Sequence, residues 1–372
     1  RLSRCGRTDK SVSALSQVFS LYVRTNARSG VGVLPPGVDL TALMAEKGED
    51  EAVVHLQDLS RELETSTVGM EVSDGAASGV KPELDYISML NGVLPSEIRF
   101  LSWAPVDHSF SARFSCTGRL YRYYFLRGKM DLLAMADAAS RLVGEHDFRN
   151  FCKMDAEHVH NFVRQVRATR IAPCDPSLDP SSPWTPYFFE VSGSAFLWHQ
   201  VRCFMSILFM VGSGEEDPEV VDALLDLEAT PRKPVYALAD PEPLVLYQCT
   251  YDHLDWQIDE RASLRAVSPV EHIAGTLAMK AALVQDMLRG MVDLVPGIPP
   301  TTLDGVRPTV GNRSKEPKMA AKRPGKHTSL LDRVTESTYE ERIESLKRRK
   351  VGWEPPSPSS RASKGASGEE SE

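Results

Sequence analysis

The sequence contains no two cysteines separated by only two residues. Its six cysteines stand singly along the chain, at Cys5, Cys116, Cys152, Cys174, Cys203 and Cys249. Zinc ribbons bind their metal through closely spaced cysteine pairs, and small secreted scaffolds depend on a regular cysteine framework. The pattern argues against both classes of protein and fits a reducing compartment.

The chain also lacks a hydrophobic run long enough to cross a membrane. A membrane-spanning helix needs about 20 apolar residues, whereas the apolar run 204–211 is much shorter. The N-terminus has no charged segment followed by an apolar one, as a secretory leader would. With 372 residues and 42% hydrophobic content, the chain can bury a full core in two domains or in one large domain with extensions. We expect a soluble intracellular protein that does not associate with membranes.

An overall excess of positive charge is missing too, because the formal net charge is −8. Such a balance usually argues against a nucleic-acid partner, but the charge is unevenly distributed. Residues 1–30 carry +5 and residues 101–170 carry +4, whereas 31–100 carry −9 and 171–260 carry −13. The basic regions also contain clustered aromatic residues, which is the combination that a polyanion-binding surface needs.

The spacing of apolar residues predicts strands interleaved with a few helices, which is typical of the α+β class. The predicted strands cover 17–23, 98–104, 120–125, 161–171, 187–191 and 244–251. The predicted helices cover 83–90, 130–143, 197–211, 218–227 and 270–294.

Composition divides the chain into four parts. Residues 1–29 begin at Arg1 rather than Met, and we expect a strand upstream of them to be missing. Residues 30–82 read as an acidic, partly disordered insertion around a short helical piece at 59–63. Residues 83–258 hold the rest of the core, and 259–372 form a largely disordered extension. Its basic runs at 322–323 and 347–350 could be nuclear-import signals, although solvated basic runs are commoner.

The first candidate motif is residues 4–10, where Asp9 stands between Arg7 and Lys10. Nearby positive charge favours the ionised form of a carboxyl group, so Asp9 is prepared to act on a substrate. The alternative is an ordinary turn before a strand, since Asp and Gly are common turn residues.

The second motif is residues 196–205, in which Arg202 lies in a helix with apolar neighbours on nearly every side. A buried guanidinium needs an anion, because the loss of its water costs several kcal/mol. The partner could be a structural carboxylate, a backbone carbonyl or, more specifically, Asp9 in a bidentate pair. We interpret Trp198 and His199 as packing residues, with RNA contact as the alternative.

The third motif is residues 119–123, where alternation places Tyr121 and Tyr123 on one strand face and Arg119 and Arg122 close by. Two tyrosines on a strand are ordinary core residues. A tyrosine ring can also stack on an unpaired base while neighbouring arginines hold phosphates.

Together the three motifs resemble the TruA-type family of tRNA pseudouridine synthases over residues 1 to about 256. Residues 6–9 are similar to the family's catalytic-aspartate motif, 119–123 to its tyrosine motif and 200–202 to its arginine motif. Residues 144–155 and 339–342 resemble the eukaryotic branch that modifies tRNA positions 38 and 39 in the anticodon arm. Ser11 departs from the pattern, because the family usually has Gly there.

The resemblance implies a pseudouridine synthase fold. Its two ferredoxin-like halves would share a mixed, mostly antiparallel sheet with helices on one face, and Asp9 would lie on the floor of a basic RNA cleft. The implied catalytic residues are Asp9, Tyr121 and Arg202. The implied RNA-binding residues are Arg7, Lys10, Arg113, Arg119, Arg122 and His199.

The resemblance also implies tRNA as the substrate, no cofactor and no metal, a homodimer, and a location in the nucleus, the cytoplasm or both. The main alternative is a catalytically impaired RNA-binding protein that keeps the same cleft, because Ser11 or the missing strand could disturb the site. A nucleoside glycosidase is a weaker alternative, since it would usually need a second acid group and none stands beside these motifs.

Overall fold

A computed structural model describes residues 2–27, 30–34, 37–67, 82–294 and 327–349. Its strands are β1 (Leu2–Arg4), β2 (Ser13–Ala14), β3 (Phe19–Leu21), β4 (Cys116–Leu126), β5 (Gly144–Asp147), β6 (Val163–Pro173), β7 (Pro186–Gly193) and β8 (Leu244–Tyr251). Its helices are α1 (Leu40–Thr67), α2 (Tyr86–Val93), α3 (Leu132–Ser140), α4 (Gln200–Gly212), α5 (Val220–Leu225), α6 (Glu260–Leu294) and α7 (Tyr339–Arg349).

Six of the strands form one sheet in the order β2-β8-β4-β7-β6-β5. The short strand β2 runs parallel to β8, and every other neighbouring pair in this sheet is antiparallel. Strands β1 and β3 form a separate antiparallel pair. The predicted α+β class with a mixed, mostly antiparallel sheet is confirmed, whereas the two ferredoxin-like halves stay a prediction.

The largest hydrophobic core lies between this sheet and the helices α3 and α4. Every residue of α4 except Arg202 is buried. Phe209 of α4 meets the ring of Tyr123 edge-on, with 5.9 Å between the ring centroids. At Gly212 a β-carbon would come within 2.6 Å of the Met135 side chain of α3, so a larger residue there would force that side chain to move. Helix α4 therefore packs closely against both the sheet and α3.

Two predicted elements differ from the structure near the start of the chain. The strand predicted over 98–104 is wrong, because this segment contributes only a single bridge between Trp103 and Gln257. In the acidic insertion, α1 is much longer than the short helical piece predicted at 59–63. It has a reason to fold, since Ala52, Val53 and Leu56 bury an apolar stripe at helical spacing. Residues 68–81 of the insertion lie outside the described residues.

The end of the chain also differs from the expectation of general disorder. Residues 327–349 pack against the core: Leu330 and Ile343 are buried, and the Tyr339 hydroxyl is 2.7 Å from His160 Nδ1. The buried ammonium of Lys233 pairs with Glu336 at 3.3 Å. Composition alone did not reveal this segment, because its stability comes from tertiary partners. Residues 295–326 and 350–372 lie outside the described residues.

Among the helices that the structure describes, none combines the length and the apolar character that a bilayer crossing requires.

Candidate active site

Asp9 lies in the loop that joins β1 to β2, and several backbone contacts fix this loop. The side chain of Gln17 donates to the Gly6 carbonyl at 2.9 Å and accepts from the Gly6 N–H at 3.3 Å. The Cys5 N–H donates to the Val18 carbonyl. After the loop, β2 pairs with Val245 and Leu246 of β8. The loop is thus attached to β3 on one side and to the main sheet on the other.

The turn after Asp9 has an unusual backbone. Ser11 has φ of 69°, which lies in the left-handed region that glycine adopts without cost and other residues rarely adopt. The Val12 N–H donates back to the Asp9 carbonyl at 3.0 Å, so the turn stays closed. The serine therefore adopts a backbone conformation that glycine would take without cost, and it does so with backbone strain.

A second turn, just before α4, supplies the partners of the Asp9 carboxylate. The buried side chain of Gln200 accepts from the Leu197 N–H at 2.7 Å and braces this turn. His199 has φ of 61°, also left-handed. This geometry directs Trp198, His199 and Arg202 toward Asp9.

Three donors surround the Asp9 carboxylate. His199 Nε2 lies 3.1 Å from Asp9 Oδ2, and Arg202 Nη1 lies 3.3 Å from the same oxygen. The Trp198 indole N–H donates to Oδ1 at 3.3 Å. The interpretation of His199 and Trp198 as packing residues is therefore wrong. The exposure of Trp198, which leaves 46% of its surface accessible, points the same way.

These donors keep the carboxylate ionised. The hydrogen bond from His199 lowers the pKa of Asp9 below its usual 3.8; burial raises it, and Arg202 lowers it further. The sequence predicted an ionised Asp9 but assigned the effect to Arg7 and Lys10, and that assignment is wrong. Both of those side chains are exposed, and the donors come from the α4 end of the chain instead.

Arg202 contacts Asp9 as the sequence predicted, but the pair is not bidentate. Only Nη1 reaches the carboxylate, while Nε donates to the Ala239 carbonyl at 2.8 Å. The Ala239 N–H in turn donates to Ser206 Oγ at 2.8 Å. The guanidinium is therefore oriented by a backbone carbonyl of the loop before β8 and is 12% exposed at the side chain.

Tyr121 lies on β4 beside the Asp9 loop. Its ring packs edge-on against Phe196 with 5.2 Å between centroids, and a β-carbon on Gly6 would be 4.0 Å from its hydroxyl oxygen. Burial raises the pKa of the Tyr121 phenol well above its usual value. The phenol therefore stays protonated near neutral pH.

A group of cations lies next to this loop without carboxylate partners. Arg119 donates to the carbonyls of Cys5, Arg113 and Ser194. Arg113 is exposed as a whole residue, but partial burial of its guanidinium lowers the pKa of that group, and repulsion from Arg7 and Arg119 lowers it further. Within the described residues no salt bridge involves Arg7, Lys10, Arg113 or Arg119. Uncompensated positive charge of this kind is available to an anion.

Arg122 does not join this group. It stands one residue from Tyr121 on β4, so its side chain projects from the opposite face of the sheet. There its Nε donates to Glu190 at 2.7 Å, and its guanidinium lies over the rings of Phe188 and Tyr247. RNA contact by Arg122 stays a prediction, and the structure does not bring it together with Asp9.

The sequence contained a weak signal for the donors that were missed. Trp198 and His199 directly precede the helix that carries Arg202, and side chains in such a turn lie close to the first turn of the helix. What the sequence could not show was the left-handed backbone at His199, which aims both side chains at Asp9.

An ionised carboxylate beside uncompensated arginines defines an enzyme site suited to a polyanionic substrate. Residues 138–252 match the sequence profile of a family described as tRNA pseudouridine synthase. The chain is 38% identical to the tRNA pseudouridine(38/39) synthase of Bos taurus and 39% identical to that of Homo sapiens, over 93% of this chain and 67% of each relative. It is 36% identical to the Saccharomyces cerevisiae enzyme of the same name, over 76% of this chain and 54% of that relative. The chain belongs to the TruA-type family of tRNA pseudouridine synthases.

We predict that Ser11→Gly stabilises the protein. Glycine relieves the left-handed strain at this position, by about 1 kcal/mol in the free energy of unfolding. Urea denaturation monitored by fluorescence measures the change. Ser13→Gly is the control, because Ser13 lies in β2 and glycine in a strand costs about 0.5–1 kcal/mol. Equal destabilisation by both substitutions would contradict the strain at Ser11.

We predict that His199→Phe raises the pKa of the Asp9 carboxyl toward 3.8, because the hydrogen bond from His199 is the largest cause of its lowering. Carbon NMR of the aspartate carboxyls measures this pKa, with Asp9→Asn for assignment. His253→Phe is the matched control, since His253 is exposed and also has a left-handed backbone, with φ of 58°. An unchanged pKa in His199→Phe would refute the assigned hydrogen bond.

The same variant has a predictable effect on acid stability. A carboxyl whose pKa falls on folding stabilises the folded state above its unfolded pKa, and this contribution disappears as the pH drops through the folded value. The window for Asp9 therefore lies below pH 3.8. As the pH falls through this window, the free energy of unfolding should decrease less in His199→Phe than in the unaltered protein.

Proposed function

We propose that this chain isomerises uridine to pseudouridine in the anticodon stem-loop of tRNA, at positions 38 and 39, with Asp9 as the catalytic carboxylate. The observation that carries the proposal is the contact of Asp9 with His199 and Arg202, at 3.1 and 3.3 Å. The names of the relatives, tRNA pseudouridine(38/39) synthase, support the substrate and the positions.

The reaction breaks the bond between N1 of uracil and C1′ of the ribose, turns the base over and rejoins it through C5. The proton on C5 leaves to solvent and N1 gains one, so the overall change is redox-neutral. Asp9 either attacks C1′ or removes a proton from C2′. Both routes require an ionised carboxylate, and the donors around Asp9 supply that state.

Access to the ribose requires the nucleotide to leave its stack, at a cost of a few kcal/mol. Arg7 is exposed and stands two residues from Asp9, so its side chain is suited to occupy the space that the base leaves. Lys10 and Arg113 are also exposed near this loop, and they are suited to phosphates on either side of the target nucleotide.

Tyr121 is better suited to stacking than to proton removal. Its phenol stays protonated near neutral pH, and a protonated phenol is a poor base for the C5 proton. Its ring lies between Phe196 and the Asp9 loop, where it can support a flipped uracil by stacking. Arg202 acts as the anchor of Asp9 and not as a substrate ligand.

The alternative function is an RNA-binding protein that keeps the cleft without turnover. The observation that favours it is the strained serine at position 11, since a small displacement of Asp9 would reduce catalysis strongly. The closed Asp9–Val12 hydrogen bond of 3.0 Å argues that the turn keeps its shape, and the enzyme is therefore the better-supported function.

We predict that Asp9→Asn abolishes isomerisation and leaves tRNA binding within a few-fold. The measurement follows release of tritium to water from unmodified tRNA labelled at uracil C5, with binding measured by filter retention. The loss should exceed about a thousandfold, as for removal of other essential catalytic groups. Asp175→Asn, in an exposed loop where the carboxylate accepts hydrogen bonds from Ser177, should release tritium normally.

Three other outcomes of this assay would contradict the proposal. Normal release by Asp9→Asn would remove Asp9 from the mechanism. Free uracil in place of intact RNA would indicate hydrolysis. Tight binding without release by the unaltered protein would indicate the RNA-binding alternative.

The proposal extends to a homodimer formed through α6. Its apolar residues recur at spacings of three and four, with one interruption at Lys280, and are 39–61% exposed, at Val270, Ile273, Leu277, Val284, Met287 and Met291. A helix with this period buries its apolar seam against another helix. A second copy of the chain supplies the same seam, and a two-fold arrangement is the commonest one among soluble oligomers.

We predict that Leu277→Glu dissociates this dimer, raising the dissociation constant at least about tenfold because an unpaired carboxylate would be buried in the seam. Size-exclusion chromatography with light scattering measures the mass over a concentration series. Gln285→Glu introduces the same charge outside the seam and should leave the dimer intact. A monomeric unaltered protein would refute the dimer.

A further inference from the structure

Three cysteines from distant parts of the chain meet beside the Asp9 loop. Cys5 follows β1, Cys116 is the first residue of β4, and Cys249 lies in β8. Their Sγ atoms all lie within 4.8 Å of one another. The residues are 1%, 9% and 9% exposed. Among the described residues, these form the one group of three cysteine, histidine or acidic side chains with potential ligand atoms this close together.

The surroundings of the three thiols are apolar apart from a few polar groups. Leu246 is buried with them, and Val18 and Tyr121 pack against the group. The Cys116 thiol donates to the Gly118 carbonyl at 3.2 Å. The Tyr251 hydroxyl, which also lies beside this group, donates to the Ala112 carbonyl. The guanidinium of Arg119 lies next to the group, since its Nη2 donates to the Cys5 carbonyl at 3.0 Å.

The separation of the sulfurs suits a metal ion. A zinc ion binds thiolates at about 2.3 Å in tetrahedral geometry, which places the sulfurs about 3.8 Å apart. The three Sγ atoms, all within 4.8 Å of one another, lie close to this separation. A disulfide, in contrast, would use two of the sulfurs and leave the third unexplained. The meeting of three thiols at one point therefore favours one shared ion over a covalent bond.

The charge balance also suits zinc. A divalent ion with three thiolates carries a net charge of −1, and the Arg119 guanidinium beside the group would offset it. With the ion bound, Arg7, Lys10 and Arg113 would be the cations left for RNA. A water would fill the fourth tetrahedral position, as it does in zinc sites with three protein ligands. Binding displaces the thiol protons to solvent, so it weakens as the pH falls.

We propose that Cys5, Cys116 and Cys249 form a structural Zn²⁺ site that ties the Asp9 loop to strands β4 and β8. On the β1 side the loop is otherwise held by hydrogen bonds of Cys5 and Gly6 with residues 17–18 and by one hydrogen bond from Arg119 to the Cys5 carbonyl. An ion bound to Cys5 fixes the residue four positions before Asp9 directly to the central sheet. The site is independent of the proposed reaction, because none of the three sulfurs contacts the Asp9 carboxylate.

Metal content of the purified full-length chain tests the proposal. The protein is stripped with a chelator, incubated with Zn²⁺ under reducing conditions and passed into metal-free buffer before elemental analysis. We expect one zinc per chain, and less than about a tenth of that in Cys116→Ser and Cys249→Ser, because a site reduced to two thiolates binds zinc far more weakly. Cys174→Ser changes an exposed cysteine outside the group and should retain the metal.

A second measurement uses only the unaltered protein, in case the serine variants fail to fold. Titration with Co²⁺ should produce thiolate-to-cobalt charge-transfer absorption that saturates at one ion per chain and disappears on addition of Zn²⁺. Neither measurement depends on activity, so failure of the metal site and failure of the isomerase are distinguishable. Absence of the charge-transfer band, zinc bound equally by the cysteine variants, or a disulfide between two of the three residues without zinc uptake would each overturn the proposal.

Discussion

The contact between Asp9 and the turn before α4 is the constraint on which the site depends. Arg202 and Asp9 are 193 residues apart in sequence, so their meeting requires both segments to be held by the same scaffold. The sheet provides this scaffold: β2 extends the Asp9 loop along β8, and α4 packs across the sheet through Phe204 and Phe209. A shift of the helix relative to the sheet would separate the carboxylate from its donors.

The position of Arg202 explains why this contact is stable. It is the one residue of α4 that is not buried, and its guanidinium is nevertheless largely removed from water. Such a cation is tolerated only when its donors are satisfied. Here the Ala239 carbonyl and the Asp9 carboxylate accept hydrogen bonds from the Arg202 guanidinium. The carboxylate therefore supports the packing of α4 as well as the chemistry, and a variant that removes its charge needs a binding measurement beside the activity measurement.

The sequence revealed the elements whose pattern is local. The strands around 120–125, 187–191 and 244–251 and the helix of Arg202 were predictable from apolar periodicity. The pairing of Arg202 with Asp9 was predictable from the cost of burying a charge. The contributions of His199 and Trp198 were not, since they depend on one left-handed residue. Docking of 327–349 and folding of α1 were also hidden, because both depend on tertiary partners that composition does not report.

The cysteines are a further case of contacts that the spacing of residues in the sequence does not reveal. A search for close pairs excludes local zinc motifs, but it cannot detect thiols that a sheet brings together. Cys116 and Cys249 meet because β4 and β8 are paired, and Cys5 joins them because the β1–β2 loop crosses the same end of these strands. The loop that carries Asp9 thus has a thiol at its first residue, next to β4 and β8, and a carboxylate four residues later that is held by the turn before α4 and by Arg202. Two left-handed residues, Ser11 and His199, lie on either side of the carboxylate, and strain of this kind persists only where the surrounding contacts over-determine the conformation. Rigid anchoring at both ends of the loop is the physical condition that allows a strained turn to hold Asp9 in a single position.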